Sequence, residues 1–440
     1  MKNTYSFSQE AFVNYEIERQ LKENNVSVDF PKSLTKLTEQ DFAVAYRPDR
    51  KDFRELDAFT VDAADCQDMD DAISLEVTET GYVLGVHIAD VSAYVQPGSA
   101  LDEAALNRGT SVYLPGLTIP MLPDILTNNL CSLVPGKDRN TTSILINLNR
   151  DAEVLGYTIT KGLIRSRVKG VYSEINHLFE GTASDSVKKK YAPMQEKLMQ
   201  MRSLSKQLRS KRGADGANLE NNSKVKITFE NGCIQVAPDI HEDAQKMIEE
   251  FMVLANRLVA EYMVANKLPC IFRTQPEKDV QAFYMPVVNR HAELALHAYC
   301  HFTSPIRRYP DILVHRALGY HLAGYSRAEI ISLMDETPLS EMSEVSTKRS
   351  RRESNIEKSI DRYCCARYFS QRRDEQFVGK ITGMESTWDE AMIRMNDFNL
   401  MVIGTTALKE YQGQSVSFTI AVDNKNRLRA RNIKLIAAAA

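Results

Sequence analysis

The chain has 440 residues, a hydrophobic content of 43% and a formal net charge of -3. This composition is typical of a globular protein with two or three domains, and it disfavours a strongly basic protein that coats duplex nucleic acid. No apolar run reaches the roughly 20 residues of a membrane span, and the amino terminus lacks the apolar segment of a secretory signal. We therefore expect a cytoplasmic protein without membrane contact. The seven cysteines lack the paired spacing of a zinc site and are expected to be reduced thiols.

In the first half of the chain, the sequence changes from a polar leader to segments with the apolar pattern of strands. Residues 1–56 form a polar leader, which is expected to be partly helical and is too short for a domain with its own core. From residue 59 onward, apolar runs and alternation predict strands. Hairpin turns are predicted at three places, namely Thr80-Gly81, the neighbourhood of Asp151, and Asn231-Gly232.

The second half of the chain begins with helical periodicity. Apolar residues at three- and four-residue spacing predict helices over 243–267, 311–324 and 350–373. Short strands with turns then return, and residues 374–436 suit a small five-stranded OB-like barrel before a low-complexity tail at 437–440. The predicted fold class is α+β. A mixed, mostly antiparallel sheet with packed helices over 57–373 is followed by the OB-like β-barrel.

The most informative segment is the acidic stretch from residue 62 to residue 71. It contains the aspartates Asp62, Asp65, Asp68, Asp70 and Asp71. Crowded carboxylates repel each other unless a cation lies among them, and grouped oxygen donors favour Mg²⁺ or Mn²⁺ over zinc. Two such ions can activate a water and stabilise the leaving oxygen of a phosphodiester. From the residues alone, an exposed acidic loop and a structural calcium site remain open alternatives.

Four longer blocks stand in the chain at 59–75 (FTVDAADCQDMDDAISL), 84–139, 247–263 and 301–316 (HFTSPIRRYPDILVHR). In sequence and in order they strongly resemble the catalytic domain of the ribonuclease II / ribonuclease R (RNB) family. The resemblance covers roughly residues 57 to 370 and extends more weakly into the OB-like end. It implies a 3′-to-5′ exoribonuclease that hydrolyses single-stranded RNA to nucleoside 5′-monophosphates by a two-metal mechanism, with Mg²⁺ or possible Mn²⁺ as cofactor.

The resemblance also implies roles for residues of the catalytic centre. The family's metal-site aspartates fall on Asp62, Asp68, Asp70 and Asp71, which leaves Asp65 as a bystander. Asp70 would complete the site of the second metal and the water. The family's phosphate-contacting arginine falls on Arg307, and its active-site glutamate falls on Glu357. Asp70, Arg307 and Glu357 are therefore expected to be catalytic.

The resemblance also implies a set of RNA-binding residues. Tyr113 would stack on the 3′-terminal base, and Phe229 would be the opposing aromatic. Stacking on an aromatic ring binds any base without sequence preference. Arg308, Arg351 and Arg352 would line the RNA channel. Each has a structural alternative: a core tyrosine, a packed strand phenylalanine, a backbone contact for Arg308, and a solvated helix face for the other two arginines.

Two features depart from the family pattern. The leader is too short for the two cold-shock-type OB domains that members usually carry, so a short form is expected. Residues Arg273–Pro276 read Arg-Thr-Gln-Pro where many members read Arg-Val-His-Glu.

The histidines His87, His301 and His315 are expected to be structural. Two rival functions remain, an RNA-binding protein that has lost catalysis and an endonuclease.

Overall fold

A computed structural model describes residues 9–45, 49–219, 225–334, 338–384 and 390–436. The predicted tail at 437–440 and parts of the leader lie outside the described residues. The α-helices are α1 (Gln9–Glu23), α2 (Lys32–Thr35), α3 (Ala100–Arg108), α4 (Tyr172–Glu180), α5 (Asp185–Tyr191), α6 (Gln195–Ala214), α7 (Asp243–Ala265), α8 (Tyr309–Leu322), α9 (Arg327–Met334) and α10 (Leu339–Ser370). The strands are β1 (Lys51–Asp52), β2 (Thr60–Asp62), β3 (Asp71–Val77), β4 (Gly81–Ala89), β5 (Val112–Leu114), β6 (Leu117–Ile119), β7 (Asp138–Asn149), β8 (Val154–Arg165), β9 (Lys169–Val171), β10 (Val225–Glu230), β11 (Cys233–Pro238), β12 (Phe272–Thr274), β13 (Phe283–Met285), β14 (Phe377–Met384), β15 (Ala391–Met395), β16 (Met401–Ile403), β17 (Ser415–Val422) and β18 (Leu428–Leu435).

The centre of the molecule is a five-stranded sheet in the order β1-β8-β7-β4-β3. The short edge strand β1 pairs with β8 in parallel, and the other neighbouring strands pair antiparallel. The β3–β4 and β7–β8 hairpins turn where the sequence predicts them. The separate β10–β11 hairpin turns at Asn231-Gly232, and both residues have the positive φ that a two-residue hairpin turn requires.

Helices α4, α6 and α7 pack together and share one hydrophobic core with the sheet. The amphipathic pattern of α7 explains its position. Met247, Phe251, Leu254 and Leu258 are buried on one face, as the periodicity predicts, and Tyr262 packs at the edge of the same cluster. Each such side chain contributes roughly 2 kcal/mol on burial. This face therefore holds the helix in the core that α4, α6 and the sheet share.

The carboxyl-terminal strands close into a barrel in the order β14-β15-β16-β18-β17. This confirms the predicted five-stranded barrel. Its core continues into α10 through Ile356 and Ile360, and into the leader helix α1 through Val13, Ile17 and Leu21. Helix α1 of the leader thus contributes to the core that joins the barrel to α10.

Small elements position the loops at one end of the central sheet. The strand β2 pairs in parallel with β9, and the loop from residue 63 to residue 70 connects β2 to β3. The β5–β6 hairpin lies beside the segment that precedes α8. The amide of Ser111 donates to the carbonyl of Arg307, and the amide of Tyr309 donates to the carbonyl of Gly109. These bonds hold the hairpin close to residues 304–308, which we call the arginine segment, and the amide of Ile306 in that segment donates to Asp70 of the acidic loop.

The seven cysteines are all free thiols, as the sequence predicts. In the described ranges, no helix combines the length and the apolar character needed to cross a bilayer.

Candidate active site

A cavity of about 910 Å³ opens where the acidic loop meets α7 and the segment before α8. All five aspartates of the acidic stretch line it, together with Tyr113, Arg307 and Arg308. We call this the aspartate cavity. The structure therefore brings together residues that are more than 240 positions apart in the sequence, because the β5–β6 hairpin and the arginine segment pack beside the acidic loop.

Asp62 and Asp71 stand at the two strand ends that enclose the acidic loop. Asp62 is the last residue of β2, and Asp71 is the first residue of β3. Burial raises the pKa of both carboxyls above the ordinary value, and the charge of Asp62 raises the pKa of Asp71 further. Holding both groups ionised at neutral pH therefore requires additional positive charge.

Asp70 is the most deeply buried acid of the cluster that faces the arginine segment. Its side chain is 4% exposed, and Oδ1 accepts a hydrogen bond of 2.7 Å from the amide of Ile306. Its Oδ2 lies 3.7 Å from Nε of Arg307 and has no hydrogen-bond partner among the described residues. Burial raises the pKa of Asp70 well above its ordinary value, and the nearby Arg307 only partly offsets this. The acid is thus oriented through one oxygen while the other lacks a partner.

Asp68 is held by side chains. The hydroxyl of Tyr113 donates to its Oδ2 over 3.2 Å, and the thiol of Cys66 donates to its Oδ1 over 3.5 Å. Burial and the neighbouring carboxylates raise the pKa of Cys66, so the thiol stays protonated and remains a donor. These contacts orient Asp68 towards the same space as Asp70.

The donor set of this cavity fits a divalent cation of the magnesium type. It consists of carboxylate oxygens, of which Asp70 Oδ2 is buried without a partner, and hard oxygen donors select Mg²⁺ or Mn²⁺. Across the described part of the chain, no group of three or more acidic, histidine or cysteine side chains is arranged closely enough to hold a metal ion by itself. Mg²⁺ retains several waters and is usually held by one or two carboxylates. An open carboxylate cluster is therefore compatible with it.

The two neighbouring arginines differ in their contacts. Arg308 donates to both oxygens of Asp311, over 2.9 and 2.7 Å, and this pair is largely buried. Arg307 is 43% exposed, donates to the hydroxyl of Ser304, and faces Asp70 at the longer distance given above. Arg307 can therefore turn its remaining N–H groups towards a ligand, whereas the guanidinium of Arg308 is engaged within the protein.

The predicted stacking residue Tyr113 lies on the β5–β6 hairpin with an exposed side chain, so it is not a core tyrosine. Its amide donates to Oε1 of Glu357 over 3.1 Å. Glu357 belongs to α10 and is not among the residues that line the aspartate cavity. In this structure it contacts the hairpin that carries Tyr113.

Three predicted RNA-binding residues lie outside the lining of the aspartate cavity. Phe229 packs near the turn of the β5–β6 hairpin, where a side chain at Gly116 would lie 3.5 Å from its ring, and it belongs to the edge of the barrel core. Arg351 is exposed on α10. Arg352 donates to Oε1 of Glu353 and lines a different cavity.

The cavity also contains polar residues that the sequence analysis did not select. Tyr172, the first residue of α4, and Tyr299 both line it. Asn256 of α7 donates to the hydroxyls of Tyr299 and Thr303, over 3.0 and 3.3 Å. Asn256 could have been selected from the sequence, because it is a polar residue within the apolar, buried face of α7. The two tyrosines carry no comparable signal in the sequence.

The RNB domain model matches residues 50–284 and 280–324, which together cover well over half of the chain. The chain belongs to the RNB family. Ribonuclease R of Thermotoga maritima is 38% identical over an alignment of 341 residues, and the match covers 64% of this RNB chain and 48% of that protein. The chain thus spans about half the length of the curated relatives it matches.

Solved structures share the RNB fold. The apo form of Mycoplasma genitalium RNase R has a TM-score of 0.81 at 23% identity, over 95% of this chain and 78% of that one. Other structures of that protein contain double-stranded RNA or ribose-methylated single-stranded RNA. Yeast Ssd1, described as a pseudonuclease, has a TM-score of 0.65 at 16% identity, over 94% of this chain and 57% of that one. At these identities the likeness establishes the fold: a mixed α+β RNB domain followed by a barrel.

Proposed function

We propose that this RNB chain is a 3′-to-5′ exoribonuclease that hydrolyses single-stranded RNA to nucleoside 5′-monophosphates with the help of Mg²⁺ or Mn²⁺. The observation that carries the proposal is the convergence of the aspartates of the acidic stretch, with Asp70 buried, and a partly exposed arginine on one cavity of about 910 Å³. Membership of the RNB family and the similarity to proteins named ribonuclease R support it.

The residues of the aspartate cavity would have separate roles in hydrolysis. Asp62, Asp68, Asp70 and Asp71 would hold the divalent cations, which supply the charge that activates water and stabilises the leaving oxygen. Arg307 would donate from its planar fork to the phosphate under attack, because a guanidinium matches the geometry and the growing negative charge of that group. The buried amide of Ile306 keeps Asp70 in place while this happens.

The base at the 3′ end would be bound without sequence specificity. The exposed ring of Tyr113 offers a stacking surface at the cavity, and stacking of this kind contributes about 1–3 kcal/mol for any base. The hydroxyl of the same residue donates to Asp68. Tyr113 would therefore connect the position of the last nucleotide to the orientation of one carboxylate.

The fold alone does not imply catalysis, because the yeast pseudonuclease has the same fold. An RNA-binding protein without activity is therefore the main rival. The presence of all four family aspartates, clustered in one cavity, favours the nuclease.

A single RNA degradation experiment separates these functions. Unstructured RNA labelled at its 5′ end is incubated with the protein and Mg²⁺, beside a circular RNA of the same sequence. We expect progressive shortening of the labelled strand, release of nucleoside 5′-monophosphates, and an intact circle. EDTA should stop the reaction, and Mg²⁺ or Mn²⁺ should restore it. Cleavage of the circle would instead identify an endonuclease, binding without any mononucleotide release would identify the inactive binder, and restoration by zinc alone would contradict the oxygen-donor argument.

A further inference from the structure

A second cavity, of about 520 Å³, lies on the other side of the β5–β6 hairpin. Side chains alternate across a strand, so Tyr113 and Thr118 line the aspartate cavity, whereas Val112 and Ile119 line the second one. The two-stranded hairpin is therefore the wall between the two spaces. We call the second space the arginine cavity, after the three arginines that line it, namely Arg108, Arg349 and Arg352.

The three arginines are not equally engaged. Arg108 donates to the carbonyls of Asp29 and Pro120, and its guanidinium stacks 3.8 Å above the ring of Phe30. Arg352 donates twice to Oε1 of Glu353. Arg108 and Arg352 thus have protein partners that hold them in place.

Arg349 has no hydrogen bond or ion pair within the described ranges, although it lines the cavity. Its stem is fixed by close packing, since a side chain at Gly109 would lie 2.5 Å from Cβ of Arg349. The positive φ of Gly109 adds a second reason for glycine there. The cationic end of Arg349 therefore lies at the cavity, where the carboxylate of Glu353 attracts it without a hydrogen bond or ion pair between them in the described ranges.

Glu353 supplies an unusual acceptor at the same cavity. The residue is 2% exposed, Arg352 occupies Oε1, and Oε2 is buried without a hydrogen-bond partner in the described part of the chain. A buried acceptor left unpaired costs about 1–3 kcal/mol. Glu353 lines the cavity and its terminal torsion is broad, so we expect Oε2 to accept from a donor bound there. The other acid at the rim, Asp29, has an exposed side chain.

We propose that the arginine cavity binds a nucleoside monophosphate whose base carries an exocyclic amino group. The phosphate would lie against Arg349 and the outer N–H groups of Arg352, because guanidinium groups are the preferred partners of phosphate. The amino group would donate to Glu353 Oε2, as base amino groups do to carboxylates. A volume of about 520 Å³ is within the usual range of small-ligand sites. The site is separate from the aspartate cavity and does not depend on the proposed function.

Calorimetric titration of the full chain with AMP, UMP and inorganic phosphate tests this proposal. EDTA is present, so that the result does not depend on cations or on hydrolysis. We expect AMP to bind, and UMP, which lacks the amino group, to bind about tenfold more weakly, as loss of one hydrogen bond to a charged group implies. Phosphate alone should bind more weakly than AMP. A tetranucleotide serves as a further arm, since tighter binding than AMP would identify a strand as the source of the nucleotide.

Three variants locate the binding site. Arg349→Gln should weaken AMP binding about tenfold or more. Arg351→Gln removes the same charge from an exposed position two residues away that does not line the cavity, and it should bind AMP like the wild type. Arg307→Gln should also retain binding, which excludes the aspartate cavity. A thermal unfolding curve for each variant shows that it is folded.

Four results would contradict the proposal. Absence of AMP binding to the wild type, equal binding of AMP and UMP, or retention of AMP binding in Arg349→Gln would overturn the proposal. So would loss of AMP binding in Arg307→Gln, since the nucleotide would then occupy the aspartate cavity.

Discussion

Arg307 and Arg308 are adjacent in the sequence, but they differ in burial and therefore in their contacts. Arg308 forms a buried, two-point pair with Asp311 and so supports the segment before α8. Arg307 has one hydrogen bond, to Ser304, and a longer contact with Asp70, and its side chain is 43% exposed. A charge that is exposed on one side and faces a buried carboxylate on the other is suited to meet a phosphate.

Replacement of this residue by lysine separates charge from geometry. Arg307→Lys keeps the positive charge but loses the planar fork, so we expect kcat on single-stranded RNA to fall about 100-fold, the usual effect of removing one oriented transition-state donor, with a smaller change in KM. Steady-state rates of mononucleotide release measure both constants. A kcat close to that of the wild type would show that Arg307 does not contact the reacting phosphate.

At the scale of secondary structure, the β5–β6 hairpin depends on its neighbours for its position. It has three residues in each strand and is held by the bond from Ser111 to the arginine segment and by the bond from Tyr113 to Glu357 of α10. An isolated hairpin of this size is marginally stable in water. From this bond we propose that Glu357 positions Tyr113.

Two substitutions of Glu357 test this interpretation. Glu357→Ala removes the acceptor of the Tyr113 amide, so we expect KM for RNA to rise about tenfold while kcat changes less, since the loss of one hydrogen bond loosens the stacking platform. Glu357→Gln retains an acceptor oxygen and should restore most of the affinity. Equal loss of kcat in both variants would instead indicate a direct catalytic role for the carboxylate.

The central sheet contains a buried polar ladder across three strands. His87 of β4 contacts the hydroxyls of Ser74 on β3 and Ser143 on β7, over 3.0 and 2.9 Å, and is fully buried. This confirms a structural role for this histidine. Burial lowers the pKa of His87 to about 4, so the ring is neutral at physiological pH.

This lowered pKa predicts a pH-dependent stability. Between the folded pKa of about 4 and the ordinary value of about 6.5, the unfolded chain takes up a proton that the folded chain excludes. The contribution is therefore complete above the ordinary pKa and is lost as the pH falls towards the folded one. Relative to His87→Gln, which does not titrate, we expect the wild-type free energy of unfolding to drop by about 2 kcal/mol between about pH 7.5 and pH 5. Urea unfolding of both proteins measures this difference, and a constant difference would refute the assignment.

At the scale of the whole molecule, local patterns predicted the elements better than their contacts. The hairpin turns, the buried face of α7 and the five-stranded barrel follow from residue spacing and turn chemistry, which act over a few positions. The acidic stretch was visible for the same reason, because its carboxylates are neighbours in the sequence. The resemblance then connected it to Arg307, and the structure brings the two together at one cavity.

Contacts between distant segments could not be predicted in the same way. The sequence does not show that Arg352 is turned towards Glu353 in a different cavity, or that Phe229 packs by the hairpin turn. Nor does it show that α1 completes the core beneath the barrel. These outcomes depend on how whole elements pack, which periodicity within one element does not determine.

The most direct test of the account compares two aspartates of one loop. Asp70→Asn removes a charge from the buried cluster, whereas Asp65→Asn removes the same charge from an exposed position of the same loop. With Mg²⁺ and single-stranded RNA, we predict that Asp70→Asn releases mononucleotides about 100-fold more slowly than the wild type, since even partners that only orient a metal ligand cost 10–100-fold when lost. It should still bind the RNA, and Asp65→Asn should remain close to the wild type. Near-normal release by Asp70→Asn, or equal losses in both variants, would contradict the claim that Asp70 and its neighbouring aspartates form the catalytic cation site.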